Sequence, residues 1–299
     1  MKQQTISSCK YGKPTPKTGT LEWARHNFNI GQGCRNGCLY CYARNIALRF
    51  GRIQSRDEWE NERLRAKPPA IKKYTGGVMF PSTHDISPFY LAPAVEALKG
   101  LLSQGNKVLI VSKPQLECID RLCRELTAFK SNVLFRFSIG SLDERLAALW
   151  EPGAPSMAER LQCLCLAKAQ GYDTSVSMEP LLAGADDANA TFNTLETQVT
   201  EKIWIGKMNQ VNRRVHQTTP EILSACRRIH ELQSDREILR LVRTLDGHPK
   251  VEWKDSIQQV IAANHEFQMK QDRNIEIRAD WEPASKIEPS HEPIVKSGP

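Results

Sequence analysis

The sequence predicts an α/β protein built on a parallel sheet, and three observations predict it. Short apolar, β-branched runs alternate with longer stretches of helical periodicity. Helix start and stop signals stand at the joins, such as Gly105 after Gln104, Gly171 after Gln170, and Thr219 before Pro220. The strand-plus-helix units recur often enough, and are long enough, to force parallel strands with right-handed crossovers.

Taken in order, residues 1–24 read as a lead-in, extended over 1–20 where Gly12, Pro14, Pro16 and Gly19 punctuate it. Asn27–Gly31 reads as a short strand, and Leu39–Phe50 as the helix after a cysteine-bearing loop. Strands follow at Gly77–Pro81, Lys107–Ser112, Val133–Ile139, Thr174–Met178 and Lys202–Ile205. They alternate with helices at Leu91–Gln104, Gln115–Phe129, Ser156–Gln170, Ala188–Thr197 and Pro220–Gln233. These six units make a domain over 25–235. A capping extension over 236–282 holds a predicted strand at Ile238–Leu245, an amphipathic helix at Trp253–Gln268 and an edge strand at Asn274–Trp281. Residues 283–299, with four prolines, read as a flexible tail.

At 40% hydrophobic and 25% charged residues, the chain can bury one large core. No run approaches the roughly 18 apolar residues of a membrane helix, and the nine cysteines are irregularly spaced without a secretory signal, so a reduced, cytoplasmic protein with no membrane partner is expected. The net charge of +7, with basic residues crowding Lys2 to Lys17 and Arg44 to Lys73, favours anionic partners, nucleic acid among them. A solvated basic face would give the same balance.

The segment Asn29 to Arg44 carries the strongest signal. Cys34, Cys38 and Cys41 place three thiolates in one tight loop, spaced to grip three corners of a 4Fe–4S cube and leave the fourth iron open. Zinc prefers four protein ligands in paired groups, and no second pair follows at zinc-like distance. The remaining cysteines offer no second site. Cys118 and Cys123 share one predicted helix, and Cys163 and Cys165 point apart on another, as small buried residues do.

In α/β barrels, ligands sit at the carboxyl ends of the strands. After the second strand come Ser82, Thr83, His84 and Asp85; after the third, Ser112 and Lys113; on the fourth, Ser138; after the fifth, Glu179; after the sixth, Lys207 and Asn209. Glu151 and Arg160 flank the start of the fourth helix, where they either brace the loop between them or contact a ligand.

The cysteine motif resembles that of the radical S-adenosylmethionine (SAM) superfamily. Together with the Thr83-x-Asp85 turn, the Ser112–Lys113 pair, Ser138 and the Glu151 to Arg160 stretch, it is similar to the spore photoproduct lyase-like, photolyase-like group over about residues 25–210. The resemblance implies a partial (β/α)6 barrel with a C-terminal α/β extension, and two cofactors: a 4Fe–4S cluster on Cys34, Cys38 and Cys41, and SAM. It places Tyr40 against adenine, Lys113 and Ser138 at the SAM carboxylate or ribose, and Thr83 or His84 near its amine or sulfonium. Glu151, Arg160 and Glu179 complete the implied cofactor contacts. The implied reaction is reductive cleavage of SAM to a 5′-deoxyadenosyl radical that abstracts hydrogen from substrate, fed by a reductase or a flavodoxin- or ferredoxin-type donor.

One departure stands out. Where spore photoproduct lyase carries a cysteine that returns hydrogen to the product radical, this chain has Ser82, whose O–H bond is too strong for that role. Three functions remain open: a radical SAM enzyme acting on nucleic acid or a nucleotide, suggested by Arg44, Arg49, Arg52 and Arg56; the same chemistry on a peptide or small metabolite; and a non-catalytic iron–sulfur binding or redox-sensing protein.

Overall fold

The computed structural model describes residues 19–264. Its strands are β1 (His26–Asn27), β2 (Gly31–Gln32), β3 (Arg63–Leu64), β4 (Val78–Phe80), β5 (Val108–Ser112), β6 (Val133–Ser138), β7 (Asp173–Met178), β8 (Ile203–Ile205) and β9 (Val251–Trp253). The α-helices are α1 (Tyr42–Arg49), α2 (Pro88–Ser103), α3 (Leu116–Glu125), α4 (Glu144–Trp150), α5 (Met157–Ala169), α6 (Ala185–Leu195), α7 (Val211–Arg214), α8 (Pro220–Leu232), α9 (Asp235–Leu245) and α10 (Asp255–Ala263). Seven strands join in the order β1-β4-β5-β6-β7-β8-β9, every pair parallel, in a sheet curled as a half-barrel. The short β2 and β3 pair separately and antiparallel.

The period-two alternation of each strand divides the sheet into two unlike faces. Phe135 and Phe137 of β6, Val176 and Met178 of β7, and Ile203 and Ile205 of β8 are all fully buried. They face the helices: Phe135 packs edge-on against Tyr172, whose hydroxyl donates to Cys123 O on α3 at 2.6 Å. The residues between them, Arg136, Ser138, Ser175, Ser177 and Trp204, line the other face, brought level by the register Arg136 to Ser175, Ser138 to Ser177 and Ser177 to Trp204.

Helix ends follow local chemistry. Pro220 opens α8 behind Thr219, whose hydroxyl accepts from Ile222 N at 3.2 Å, and Ser156 caps α5 in the same way.

Several expectations need correction. The sheet has seven strands, because β9 adds a strand beyond the predicted six. Ile238–Leu245 is not a strand but lies within α9. Its buried Ile238, Leu239, Leu241, Val242 and Leu245 recur at helical spacing, a stripe that a short window mistakes for a β run. The helix expected over Trp253–Gln268 starts later, at Asp255, since Trp253 belongs to β9. Helix α4 was not anticipated at all. The predicted Asn274–Trp281 strand, the flexible tail and most of the lead-in lie outside the described residues. Among those described, no helix is long and apolar enough to cross a membrane.

Candidate active site

The cysteine loop leaves β2, which pairs with β3, through Gly33, whose φ of +93° suits glycine and whose Cβ would stand 2.4 Å from Asn61 O. Cys34 N donates to Trp59 O at 2.7 Å. Cys41 caps α1, its Sγ accepting from Arg44 N at 3.4 Å. Arg44 folds back over the loop, donating from Nη2 to Cys38 O at 3.0 Å and Leu39 O at 3.2 Å. Underneath, Ala43, Ala47, Ile53 and Trp59 form a small apolar cluster that holds Cys34 and Cys41 from below.

Burial pushes the Cys34 thiol well above its usual value, with Asp85, Cys38 and Cys41 adding to the rise. Cys38 is pushed up to about 12 by burial, against the pull of Lys113. Crowded buried thiols of this kind become thiolates when a cationic centre binds them and releases their protons, so the donor set fits an iron–sulfur cluster. Among the described residues, no three His, Cys, Asp or Glu side chains close around a point as they would for one ion. Cluster thiolates each take a different iron and stand farther apart.

Asp85, buried past the end of β4, ties this loop to the sheet. Its Oδ2 accepts from Asn36 Nδ2 and from Lys113 N, both at 2.8 Å. Its Oδ1 accepts from Ile86 N at 2.7 Å and from the Ser112 hydroxyl. One carboxylate thus fixes the cysteine loop, the β4 turn and the end of β5 against one another.

Behind Cys38 lies a second carboxylate. Glu151, the residue that caps the C-terminus of α4, accepts a hydrogen bond from the Tyr40 hydroxyl. It stands 2.6 Å from Arg160 Nη2 and 3.7 Å from Lys113 Nζ, with side chains 3%, 1% and 15% exposed respectively. Arg160 also donates to Ser138 O at 3.1 Å and Pro155 O at 2.9 Å, which anchors it to β6. The Lys113 ammonium lies 5.6 Å from the Tyr40 ring centre. Burial would raise the Glu151 carboxyl, but Lys113, Arg160 and the Tyr40 hydroxyl outweigh it and hold it below the usual carboxylate range. Burial also opposes charge on Lys113, yet Cys38 and Glu151 leave it raised. Tyr40 is raised by burial and by Glu151. Gly153 lets this segment press on the cysteine loop, since a Cβ there would meet Arg35 O at 2.2 Å.

Tyr40, Lys113, Glu151 and Arg160 are therefore brought together, with Ser138 beside them through its backbone. Thr83 Oγ1 is buried without a partner among the described residues, while its N–H donates to Asn29 Oδ1 at 3.0 Å. His84 has both ring nitrogens in use: Nε2 accepts from Gly31 N at 3.1 Å, which leaves Nδ1–H to donate to Asp85 O at 2.9 Å. Burial lowers its pKa to about 4, so it is a neutral brace with no nitrogen free for a ligand. Glu179 stands apart from the Glu151 group, 3.3 Å from Lys254 Nζ, and burial raises its pKa against the pull of that lysine. Ser82 is tied to Asn29, which donates to its hydroxyl at 2.9 Å.

Asn29, Asn36, Tyr42 and Lys254 were missed in the sequence. Tyr42 donates to Ser82 O, and Asn29 accepts from both Ser82 N and Thr83 N; none of these clamps follows a motif. Lys254 went unread because the strand before it did.

The basic series also divides. Arg44 is inside the loop and Arg56 donates to Asn45 Oδ1 at 3.0 Å, whereas Arg49 and Arg52 flank the exposed Phe50. Beside them a surface pocket of about 380 Å³ is lined by Arg52, Arg63, Arg65 and Lys67 together with Gln32, Leu64 and Ala66.

No family model matches the chain. A curated relative, the uncharacterised protein ORF301 of Acidianus two-tailed virus, is 32% identical over an alignment of 173 residues that covers 53% of this chain and 56% of the relative. The chain thus spans about half the length of the curated relative it matches. Among solved structures, spore photoproduct lyase complexed with dinucleoside spore photoproduct is similar at TM-score 0.44 and 16% identity, over 80% of this chain and 73% of that one. A mutant of spore photoproduct lyase reaches 0.45 and 16%, over 75% and 74%. Streptococcus suis SuiB bound to S-adenosylmethionine reaches 0.43 and 11%, over 64% and 41%. Scores this low at such identities mark a distant likeness and assign no chemistry.

Proposed function

We propose that this half-barrel is a radical SAM enzyme, with Cys34, Cys38 and Cys41 as ligands of a 4Fe–4S cluster and Tyr40, Thr83, Lys113 and Ser138 as contacts of SAM. The observation that carries the reading is the packing of the Tyr40, Lys113, Glu151 and Arg160 group directly behind Cys38. A 4Fe–4S cluster held by Cys34, Cys38 and Cys41 would, when bound, supply the one-electron reduction that cleaves SAM to methionine and a 5′-deoxyadenosyl radical.

The chain's own residues prepare the ground for that step. Arg160, held by Glu151, Ser138 O and Pro155 O, cannot turn toward a ligand, so it braces the site. Lys113 is the partly exposed cation of the group, and its ammonium, 3.7 Å from Glu151, can turn to a ligand carboxylate in a charge-assisted hydrogen bond. The Thr83 hydroxyl, buried and without a partner among the described residues, is a second group that can meet a ligand. Asp85 keeps Lys113 and the cysteine loop in fixed relation while this happens.

The substrate class favoured by the surface is a nucleic acid or nucleotide. The pocket lined by Arg52, Arg63, Arg65 and Lys67 faces solvent beside the cysteine loop's hairpin, and Phe50 offers an exposed ring between Arg49 and Arg52. Unpaired thiols and an oxygen-sensitive cluster suit a reducing cytoplasm, with electrons from a flavodoxin- or ferredoxin-type donor.

The test is anaerobic. After reconstitution with iron and sulfide and reduction by dithionite, 5′-deoxyadenosine is quantified for wild type and Cys38→Ala, with and without mixed oligonucleotides. Product from wild type only, stimulated by oligonucleotide and weakened by salt, is expected. A loaded cluster that never cleaves SAM would overturn the enzyme reading; cleavage indifferent to oligonucleotide and salt would move the substrate to a peptide or small metabolite.

A further inference from the structure

The concave face of the sheet turns polar between β6 and β8, and four polar atoms there have no partner among the described residues. They are Arg136 Nη1, Ser177 Oγ and the indole Nε1 atoms of Trp23 and Trp204, each shut off from solvent. Arg136 is 5% exposed and Ser177 1%.

These atoms belong to one neighbourhood. Register puts Ser177 beside Trp204 on the face that carries Arg136. The guanidinium carbon lies 4.9 Å from the Trp23 ring centre and 5.0 Å from that of Trp204, and the two indoles meet edge to face at 6.1 Å. Arg136 Nε donates to Ser175 Oγ at 2.9 Å, and that hydroxyl is spent on Lys202 O at 2.6 Å. The nearby carboxylates of Glu22 and Glu179 are taken by Lys254, at 2.8 and 3.3 Å, and Glu201 and Glu252 act on Arg136 only from a distance.

Folded proteins leave few buried polar atoms unpaired, so four on one patch of an inner barrel face point to a missing partner. Indole and guanidinium N–H groups can only donate, which makes that partner an acceptor. The flanking indole rings stabilise the guanidinium charge, but they do not take its in-plane N–H. Water would satisfy single donors and still leave the buried guanidinium with no carboxylate paired to it.

We propose that this inner face binds an oxyanion, the carboxylate or phosphate of the substrate, anchored by Arg136 and completed by Ser177 and the indole N–H groups of Trp23 and Trp204. The Glu151 group reaches the sheet at the ends of β5 and β6, whereas Ser177 and Trp204 lie on β7 and β8, so the substrate's anionic group would be held toward β7 and β8 and SAM toward β5. Calling the ligand a substrate rests on the radical SAM reading; the binding itself does not.

The two tryptophans supply the signal. Intrinsic fluorescence of the full-length, reconstituted protein is titrated anaerobically with inorganic phosphate, acetate and a nucleoside 5′-monophosphate, each against chloride at matched ionic strength. Wild type is expected to respond saturably to phosphate and nucleotide or to acetate, which separates the two sources of charge. Ser177→Ala, which removes one hydrogen bond to a charged group, should weaken binding about tenfold, and Arg136→Gln should abolish it. Ser177→Ala decides alone where Arg136→Gln fails to fold by circular dichroism. No saturable response in wild type, or the same affinity in Ser177→Ala and in folded Arg136→Gln, would overturn the proposal. Deoxyadenosine formation without substrate is read in parallel: its loss in wild type with anion binding intact would sink the enzyme reading and leave the site standing.

Discussion

Glu151→Gln tests whether the buried charge group holds the site together. Glutamine keeps the shape and can still accept from Tyr40, but it leaves Arg160, with a side chain 1% exposed, facing no counter-charge at 2.6 Å. Lys113 loses its carboxylate as well. Removing one partner of a buried pair costs about 3–5 kcal/mol. For a domain of this size, each kcal/mol moves Tm by about 2–4 °C, so a fall of about 6–20 °C is expected by circular dichroism. The pH dependence supplies an internal check. Because Glu151 is held below the usual carboxylate range, its contribution is full above the unfolded pKa of about 4.3 and is lost as pH falls through the lower folded value. The gap between wild type and variant should therefore be constant near neutrality and close in acid. In a double-mutant cycle, Arg160→Gln should be less damaging in the Glu151→Gln background than alone. A loss under about 1 kcal/mol, the range of an exposed pair, or a gap that persists in acid, would refute the reasoning.

His84→Gln should flatten a different part of the stability profile. With the folded pKa near 4 against about 6.5 unfolded, the unfolded chain binds the extra proton, so wild type loses about 3 kcal/mol as pH falls from 6.5 to 4; urea titrations that show the same slope in both proteins would count against a buried neutral ring. Gly31→Ala sets a Cβ 2.2 Å from Tyr90 Cε1, and because that ring is fully buried the clash should cost about 1–3 kcal/mol. An unchanged urea midpoint would mean that the β2 segment shifts freely. Asp85→Asn turns an NH2 group toward donors from Asn36, Ser112, Lys113 or Ile86, and should cost about 2–3 kcal/mol while lowering iron retained after reconstitution. Full iron content in a folded Asp85→Asn protein would remove Asp85 from the support of the cysteine loop.

The fold was legible wherever periodicity spoke without competition. Strands such as Val133–Ile139 and helices such as Ser156–Gln170 carry long patterns with marked ends, and the structure places β6 and α5 there. The failures were short or ambiguous segments. β9 has three residues and α4 seven, too few to show a period, and α9's dense apolar stripe satisfies a strand template as well as a helical one. In the site, the cysteine loop was readable because its three cysteines lie close together in sequence. His84 and Arg44 were readable as residue types but not as roles: which partner each nitrogen takes depends on Gly31, Asp85, Cys38 and Leu39 lying beside it, a matter of loop conformation. Asn29 and Asn36 carry no pattern of their own and acquire meaning only through contacts some 50 positions away.

The inner face shows why one chain can hold so many buried charges. Arg136 sits between Phe135 and Phe137 in β6, so the period that buries two aromatic rings against the helices necessarily turns a guanidinium into the half-barrel. The outer face, apolar on β6, β7 and β8, supplies packing that does not depend on what the inner residues are. A strand in such a sheet can therefore exchange an inner apolar residue for a charged one without losing its place, at a desolvation cost. For Glu151 that cost is offset by Arg160 and Lys113, and for Lys254 by Glu22 and Glu179. Arg136 stands out because its guanidinium has two indole rings and a serine but no paired carboxylate, and burial lowers its pKa to about 9. A ligand that brings a negative charge removes that imbalance.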